Sequence, residues 1–437
     1  MEPGEQGRAY SGNLKRLVLF TLGVIPAVLL AQSDSIPMPG ESFGAGVEDD
    51  ASGLEFFSEG LSGYLEDTLN FEYLKASEET TQLNNLKLRL NTEGSYRDYF
   101  RYGVTMIGVA NTGDREFSLL SYLPEIVENQ IPVEFRDAYN YTLKDDQLYL
   151  QEAYGEWLWN ALTFRFGRHK FYSGTGYAYN PIDLFNRKNP LDPTYETNGQ
   201  DALMLTLRTG SGTDIEAVAR TEDDYRSFDS QIRVKTFYEG WDLAAGLTRY
   251  GKKRIDWVEG GIEREFTWNM ISAEFSGEIG GVAVYGEGGW VMIDSPDEVG
   301  SLNRAAKDHE RLLIGVDYTF ENQLYLMAEY LRFGQGISGP SEMDLNDRFA
   351  YLTGEVISPD KDTLFLGASY PVTDLMDFSL YGIINCNENS AILNPWLVWD
   401  VRTGWKLSLS ITIPVGKDDG SLGRADMAGF IRLRYSF

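Results

Sequence analysis

Hydrophobic and polar residues alternate one by one in many short stretches of this 437-residue chain. Leucine, isoleucine, valine or phenylalanine takes every second position, and mostly polar or charged residues stand between them. The clearest stretches are residues 86–90, 162–166, 203–208, 312–320, 406–413 and 429–437. Because side chains of an extended strand point alternately to its two faces, each stretch predicts a β-strand with one apolar and one polar face.

The connections between these strands alternate between very short and long ones. The short, turn-rich connections lie near residues 96–98, 160–161, 210–212, 239–240, 280–281, 321–322, 373–377 and 402–405, and they have the size of hairpin turns. The longest connections are residues 113–146, 173–200, 294–308 and 334–362. Residues 254–266 are interpreted as a loop, with a further hairpin as the alternative. The pattern predicts about 18 strands, with 16 as the alternative.

This arrangement is typical of bacterial outer-membrane β-barrels, which combine an even strand number with short periplasmic turns and long extracellular loops. The sequence therefore predicts an all-β fold, a single transmembrane antiparallel up-and-down barrel over residues 60–437. A closed barrel leaves no unpaired strand edge in the hydrocarbon. With about 16 to 18 strands, its interior is too wide for strand side chains to fill, and an aqueous lumen is expected.

The N-terminus predicts export. Lys15 and Arg16 precede an apolar run at residues 17–31, which Pro26 interrupts and Gln32 ends. This run is shorter than the roughly 20 residues of a membrane-spanning helix, so we predict a signal peptide over residues 1–31. Residues 32–59 then form a periplasmic N-terminal extension, which is too short for the plug domain of a larger receptor barrel.

Composition agrees with this class. A mean hydropathy of −0.30 and the lack of a second long apolar run exclude a helical membrane protein. The 13% aromatic residues and 45 glycines are high for a soluble chain. Cys386 is the only cysteine, which excludes an intramolecular disulfide and a cysteine-based metal cluster. A soluble, secreted β-rich protein such as a lectin is the rival class.

Aromatic residues near strand ends support the membrane assignment, because girdles of Trp and Tyr mark both interfaces of such barrels. The residues concerned are Tyr99, Phe100, Tyr102, Trp157, Trp159, Trp241, Trp268, Tyr325, Trp396, Trp399, Trp405 and Tyr435. The last nine residues, GFIRLRYSF, resemble the closing strand of Gram-negative outer-membrane barrels. That resemblance implies that the barrel-assembly machinery binds this strand, with Tyr435 and Phe437 as the assembly signal.

The segment from residue 164 to residue 202 is the best candidate for a pore constriction. It runs from a predicted strand into a long loop, and loops of this length are usually functional or disordered. Its aromatic and proline content favours order. We therefore predict a constriction loop at residues 173–200, and the charged candidates of the segment are Arg168, Asp183, Arg187, Lys188 and Asp192.

This segment carries a family resemblance. Gly167-Arg168, Gly174, Gly176, Asn180-Pro181, Asp183-Leu184-Phe185 and residues 189–193 (NPLDP) resemble the GRQ, WG and NPxD signature of porin-like and alginate-export-like barrels. His169 stands where glutamine is usual, and Tyr172-Ser173 where tryptophan is expected. The resemblance implies passive or selective passage of a small hydrophilic solute, with this loop folded into the pore. Porins are often trimers, so a homotrimer is compatible with it.

Charge is unevenly distributed around the net value of −28. Residues 113–146 hold eight acidic and three basic residues, which is typical of a solvated loop surface beside lipid and lipopolysaccharide. The polar faces of several strands instead carry cations: Lys87, Arg89, Arg165, Arg208, Arg233, Lys235, Arg432 and Arg434. A cationic ladder in a narrow pore selects anions, so an anionic solute such as a uronate, an organic acid or phosphate is the sharper hypothesis. Glu66, Glu72, Glu274 and Glu329 give the alternative, a weakly selective lumen in which acids pair with the arginines.

The chain lacks the GxSxG, HExxH and EF-hand patterns. His169 and His309 are the only histidines, and Ser173 lies four positions beyond His169. Four strand residues span about 13 Å, which is too far for proton transfer. We therefore predict no catalytic residue, metal site, cofactor or nucleic-acid partner. A structural or adhesin-type barrel is the second functional hypothesis, and an outer-membrane hydrolase is the third.

Overall fold

The computed structural model describes residues 60–75, 78–118, 133–136, 140–142, 146–192, 196–221, 228–259, 261–339, 342, 344–352, 356–416, 421–423 and 425–437. The predicted signal peptide at residues 1–31 and the predicted extension at residues 32–59 lie outside these ranges. Residues 193–195 of the predicted constriction loop also lie outside them.

The described chain consists almost entirely of strands. Those of the first half are β1 (Ser62–Leu74), β2 (Glu79–Tyr96), β3 (Phe100–Gly113), β4 (Glu116–Ser118), β5 (Asn140–Thr142), β6 (Asp146–Trp159), β7 (Leu162–His169), β8 (Gln200–Thr209), β9 (Thr213–Thr221) and β10 (Phe228–Tyr238). Those of the second half are β11 (Trp241–Asp256), β12 (Ile262–Ile279), β13 (Val282–Asp294), β14 (His309–Thr319), β15 (Tyr325–Phe333), β16 (Asp362–Thr373), β17 (Met376–Asn385), β18 (Ser390–Arg402), β19 (Trp405–Gly416) and β20 (Met427–Ser436).

Two short helices lie in long connections: α1 (Val133–Arg136) and α2 (Leu345–Leu352). Neither these nor any other helix in the described ranges has the length and apolarity needed to cross a bilayer.

Eighteen of the described strands form one closed, antiparallel transmembrane barrel. Each barrel strand pairs with its neighbours along the chain, β3 pairs with β6 across a long loop that holds the small β4–β5 hairpin, and β1 closes the barrel against β20. At this seam Gly63 and Phe437 exchange two backbone hydrogen bonds of 3.0 Å. The predicted 18-stranded up-and-down barrel is confirmed.

Alternation decides which side chains face lipid. Leu203, Leu205 and Leu207 of β8 are exposed on the outer surface. On β20, Ile431 and Leu433 are exposed, whereas Arg432 between them is only 3% exposed. In a soluble protein, leucines are usually buried and arginines exposed, whereas here the leucines are exposed and the arginine is buried. A barrel with a lipid-facing surface and a polar interior requires this arrangement.

The tight turns lie on one side of the barrel, as predicted, together with the beginning of β1 and the end of β20. Two of them, Glu239-Gly240 and Gly280-Gly281, have positive φ at both residues, with values between 48° and 87°. This is the conformation of the type I′ turn, which matches the twist of the flanking strands.

One predicted loop is wrong. Residues 254–266 belong mostly to a hairpin, because β11 continues to Asp256, β12 begins at Ile262, and Lys252 pairs with Phe266 in the register between them. Residues 254–266 are rich in charged side chains, and this composition is typical of a loop. The segment is nevertheless strand, because it stays in register with its neighbour and buries Phe266 on the inward-facing side.

The interior beside β12 to β20 is a packed hydrophobic core. Tyr285, Leu313, Met327 and Phe365 of the wall pack with Tyr179 of the loop between β7 and β8. A second cluster joins wall residues of β12 and β13 to the same loop and to the loop between β13 and β14. Long loops therefore fold into the barrel and fill much of the width that strand side chains leave open.

Three residues of the predicted aromatic girdle belong to this core. Trp268 and Trp396 are both 2% exposed and face inward. Tyr325 packs against the core from the inward-facing side of β15, so the assignment of these three residues to the girdle is wrong. By contrast, Trp157, Trp159 and Tyr435 are exposed on the outer surface. Trp268 and Trp396 stand on the inward-facing side of their strands, and the incoming loops give the indole rings an apolar environment there.

Candidate constriction site

The connection between β7 and β8, residues 170–199, enters the barrel; we call it the inner loop. A carboxylate organises its first half. Asp183 is buried and accepts hydrogen bonds from the backbone N–H groups of Ser173, Phe185 and Asn186 at 2.9–3.2 Å, and from the side chain of Asn186 at 3.1 Å. Burial raises the pKa of Asp183, and these donors oppose that rise. Asp183 therefore fixes the shape of the loop and is not presented to a solute.

Three glutamates of the barrel wall hold the same part of the loop. Glu274 of β12 accepts a hydrogen bond from the Gly174 N–H at 2.6 Å. Glu287 of β13 accepts from the Thr175 N–H at 2.5 Å, and also from the N–H groups of Gly176 and Ile182 at 3.3 and 3.4 Å.

Glu329 of β15 is the third of these glutamates. It accepts hydrogen bonds from the N–H groups of Tyr177 and Ala178, the latter at 2.8 Å, and from the Tyr285 hydroxyl at 3.0 Å. Carboxylate-to-amide bonds are charge-assisted and roughly twice as strong as neutral ones. Three strands thus bind a continuous row of loop amides from inside the barrel.

A lysine of the loop lies among these carboxylates. Lys188 donates to the carbonyl of Gly176, and Glu287, Glu329 and Asp183 are the charges that act on its ammonium group. Burial lowers the pKa of Lys188, whereas the three carboxylates raise it. Lys188 therefore partly neutralises the wall carboxylates that bind the loop.

Wall cations bind the far end of the inner loop. Asp192 lies 3.4 Å from Arg432 of β20. Glu196 forms ion pairs with Lys87 at 3.3 Å and with Arg89 at 2.5 Å, and it accepts a hydrogen bond from Gln151 of β6 at 3.2 Å. The loop thus contacts inward-facing side chains on widely separated sectors of the barrel and crosses its interior.

Two solved structures resemble this chain. Acinetobacter baumannii OccAB4 matches with a TM-score of 0.52 and 10% identity, over 87% of this chain and 99% of that one. Pseudomonas aeruginosa OccK11 (OpdR) matches with a TM-score of 0.50 and 10% identity, over 88% and 97%. No protein-family model and no curated protein sequence matches. Identities this low show the barrel fold alone.

The predicted cations lie on the inward face, but most are paired with acids. Arg165 contacts Glu156 at 2.5 Å, Lys235 contacts Glu216 at 2.7 Å, and Arg434 contacts Glu66 at 2.5 Å. Arg233 contacts Glu274 and lies 3.7 Å from Glu216. Arg208, near a tight turn, is exposed and makes no ion pair with a described residue. The cationic ladder is therefore largely neutralised. Of the acids that the alternative named, Glu66 and Glu274 take part. The other pairing acids, Glu156, Glu216 and Glu196, were not foreseen.

Arg168 occupies a different place from the other constriction candidates. It lies in β7, pairs with Asp201 of β8 at 2.5 Å, and shares the outward face of that strand with Leu203 and Leu205. Arg168 is therefore outside the constriction, because one strand position reverses the direction of a side chain. Arg187 is a partly buried residue of the inner loop. Tyr435 and Phe437 lie on the outer surface at the seam, where an assembly factor could reach them.

Sequence reasoning missed Glu287, the wall residue that binds the first half of the inner loop, and Glu196, the loop residue that binds Lys87 and Arg89 of the wall. Glu287 stands in the glycine-rich run GEGG of β13. A Cβ at Gly289 would lie 2.8 Å from Met270 and 3.4 Å from Ile182 of the loop. On the inward face of this strand, the carboxylate of Glu287 can accept hydrogen bonds from loop amides, and Gly289 leaves space for the loop to approach. This glutamate-glycine pattern is the sequence signal that could have indicated the contact.

The two histidines do not have the geometry that a hydrolase site requires. The Ser173 hydroxyl donates to Gln231 at 3.0 Å, while His169 is fully buried and its Nδ1 lies 3.0 Å from the Gly167 carbonyl. His309 is also buried, and its Nε2 accepts a hydrogen bond from Arg311 at 3.2 Å. Neither histidine is a base beside a nucleophile in the described part of the chain.

Proposed function

We propose that this protein is an outer-membrane channel of a Gram-negative bacterium that passes small hydrophilic solutes. The observation that carries the proposal is the inner loop, which the wall glutamates Glu274, Glu287 and Glu329 hold inside an 18-stranded barrel. A structural barrel needs closed strands but has no need for a loop fixed across its interior. A loop bound at both ends sets the width and the charge of a pore.

The pairing of the wall cations supports a weakly selective lumen over a strongly anion-selective one. Paired charges present little net field to a passing ion, and salt screens what remains. Among the predicted wall cations, Arg208 is the one without an ion pair to a described acid, although Asp214 lies opposite it in the register, so any anion preference would depend on it most directly. Uronates, organic acids and phosphate remain the anionic solutes to compare with neutral sugars.

Planar-bilayer conductance of the purified full-length protein tests the channel. We expect discrete conductance steps, and larger steps after deletion of residues 173–199. The deletion also removes the acidic partners of Lys87 and Arg432. A triple variant with Glu274, Glu287 and Glu329 changed to glutamine therefore provides a second way to release the loop. Absence of channels in the wild-type protein and in both variants would eliminate the proposal.

Two other functions have their own tests. An adhesin-type or structural barrel would fold and insert without conducting. A hydrolase would cleave a lipid or glycan ester, and the burial of His169 and His309 argues against it.

Native mass spectrometry would show whether the protein forms the homotrimer that the resemblance allows. Lipid, lipopolysaccharide and the barrel-assembly machinery are the partners that this localisation implies.

A further inference from the structure

A pair of carboxylates joins three extracellular loops at the rim of the barrel, away from the inner loop. Asp360 lies in the loop between β15 and β16, and Glu388 in the loop between β17 and β18. Ser421 belongs to the loop between β19 and β20. Its hydroxyl donates to Asp360 Oδ2 at 3.0 Å, and its N–H donates to Glu388 Oε1. One serine therefore holds both carboxylates close together.

Each carboxylate has one buried oxygen with no partner. Asp360 is 1% exposed, and its Oδ1 accepts no hydrogen bond. Glu388 Oε2 is likewise buried and unbonded. Neither group forms an ion pair with a residue that the structure describes, whereas the neighbouring Asp362 contacts Arg332 at 2.9 Å. A buried carboxylate without a counter-charge is costly, and two that repel each other are more so.

Either a proton or a cation can relieve this repulsion. Burial raises the pKa of Asp360 to about 7, with Glu388 adding to the rise and the Ser421 hydrogen bond opposing it. Above that pH Asp360 carries a charge beside the Glu388 carboxyl group, and no described cation lies at contact distance from either. A divalent cation has the opposite sign and the magnitude of two carboxylate charges.

We propose that Asp360 Oδ1 and Glu388 Oε2 bind a divalent cation of the Ca²⁺ class at the extracellular rim. Ca²⁺ takes six to eight oxygen ligands in flexible geometry, often including water, whereas Mg²⁺ requires a near-ideal octahedron. Two carboxylates supply only part of such a shell. The affinity therefore falls in the range of extracellular modules, with a Kd on the order of 0.1–1 mM.

The cation links the two loops of Asp360 and Glu388, and the hydrogen bonds of Ser421 attach a third loop to both carboxylates. The loop that carries Asp360 also contains α2, whose residues Phe349 and Ala350 are buried, Ala350 beside Phe333 of β15. A cation between Asp360 and Glu388 fixes the end of that loop to its neighbours. The site thus orders one side of the channel mouth, and this inference does not depend on the solute or on conduction.

Calcium binding to the full-length protein tests the proposal. The barrel is refolded in detergent free of lipopolysaccharide, stripped with a chelator and studied at pH 7.5 by equilibrium dialysis with radioactive calcium. We expect wild type to bind one more Ca²⁺ than D360N, E388Q or the double variant. D297N is the matched control, because Asp297 is an exposed carboxylate in another extracellular loop, and it should bind as wild type does.

Hydrogen exchange provides the second measurement. Calcium should slow exchange at residues 356–361, 386–389 and 421–423 in wild type and D297N, and should leave it unchanged in E388Q. If the carboxylate variants fail to refold, S421A replaces them as the test variant, because it keeps both carboxylates. S421A should weaken calcium binding. Equal stoichiometry in wild type and E388Q would overturn the proposal. Exchange that responds to pH between 5 and 8 but not to calcium would overturn it in favour of a shared proton.

Discussion

At the residue scale, the inward glutamates act as ligands for a peptide segment. Glu329 accepts hydrogen bonds from two consecutive loop amides and from the Tyr285 hydroxyl. Consecutive N–H groups of an irregular loop have no sheet partner, and burying them unpaired costs about 1–3 kcal/mol each. The carboxylates of the wall remove this cost.

Changing Glu329 to alanine should therefore release the middle of the inner loop. The N–H groups of Tyr177 and Ala178 and the Tyr285 hydroxyl lose their acceptor, so we expect a destabilisation of about 2–5 kcal/mol in the loop's attachment. Single-channel recordings should show larger and noisier conductance.

E278A is the matched control for this prediction. Glu278 lies in β12 on the inward-facing side of the strand but is exposed, and it makes no hydrogen bond to a described residue. Conductance in E278A should keep the wild-type size of step and noise. Identical traces for E329A and wild type would show that Glu329 does not hold the loop.

At the scale of elements, the hairpins depend on turns that only certain residues adopt easily. Gly240 has a φ of 87°, and a Cβ built on it meets no atom within 4 Å. Its role is therefore conformational and not one of packing. Gly210 also has open space around a Cβ, but its φ is not positive.

G240A should destabilise the barrel by about 1–2 kcal/mol, because the left-handed conformation costs an L-residue roughly that amount. G210A is the control and should leave the unfolding free energy unchanged or slightly raised. Reversible urea unfolding in lipid vesicles measures both. Equal stability of the two variants would mean that the Glu239-Gly240 turn is not fixed in its type I′ form.

At the scale of the whole molecule, charge along the lumen should set the ion preference of the proposed channel. Arg208 is exposed on the inward face near the end of the barrel that carries the tight turns, and Arg165 is paired with Glu156. Changing either to glutamine should move the reversal potential in a salt gradient toward cations. R208Q removes a positive charge that forms no ion pair with a described acid, whereas R165Q leaves the Glu156 carboxylate without its partner.

R249Q controls for net charge in this measurement. Arg249 is exposed on the outward face of β11, the face that carries Leu247. Its neutralisation should leave the reversal potential unchanged. A shift of the same size in R249Q as in R208Q would show that the lumen does not set the selectivity.

The C-terminal strand closes the barrel and carries the predicted assembly signal, and a single substitution separates these two features. The backbone of Phe437 closes the seam through two hydrogen bonds with Gly63, while its side chain is half exposed on the outside. F437A keeps both bonds. We expect normal refolding in detergent but a severalfold smaller amount of barrel in the outer membrane of cells, measured by heat-modifiable gel mobility. Equal amounts in the membrane would remove Phe437 from the assembly signal.

The barrel was predictable from the sequence to a large extent. The side-chain period of two along Ile431, Leu433 and Tyr435 is a local property, and so is the preference of Gly240 and Gly281 for turns. Outward leucines and inward arginines therefore followed from the sequence, as did the strand number. The hairpin at residues 254–266 did not, because charged residues above the bilayer are compatible with both strand and loop.

The inner loop illustrates the limit of this reasoning. Its position between two strands and its order were predicted, and Asp183, Lys188 and Asp192 all lie in it. Arg168 was misplaced, because the predicted segment included the end of β7. The partners of the loop were not foreseen, since alternation shows that Glu274 and Glu329 face inward but not what they meet there.

The sequence alone determined the strands, their faces, the turns and the closure of the barrel, because each depends on residues one to a few positions apart or on pairing between neighbours in the chain. Only the tertiary structure decided that the inner loop crosses the interior and that carboxylates bind its amides. Glu329 and Tyr177 are 152 residues apart, and no local pattern encodes a contact over that separation. The same applies to Asp360, Glu388 and Ser421, which come together only because the closed barrel places their three loops side by side.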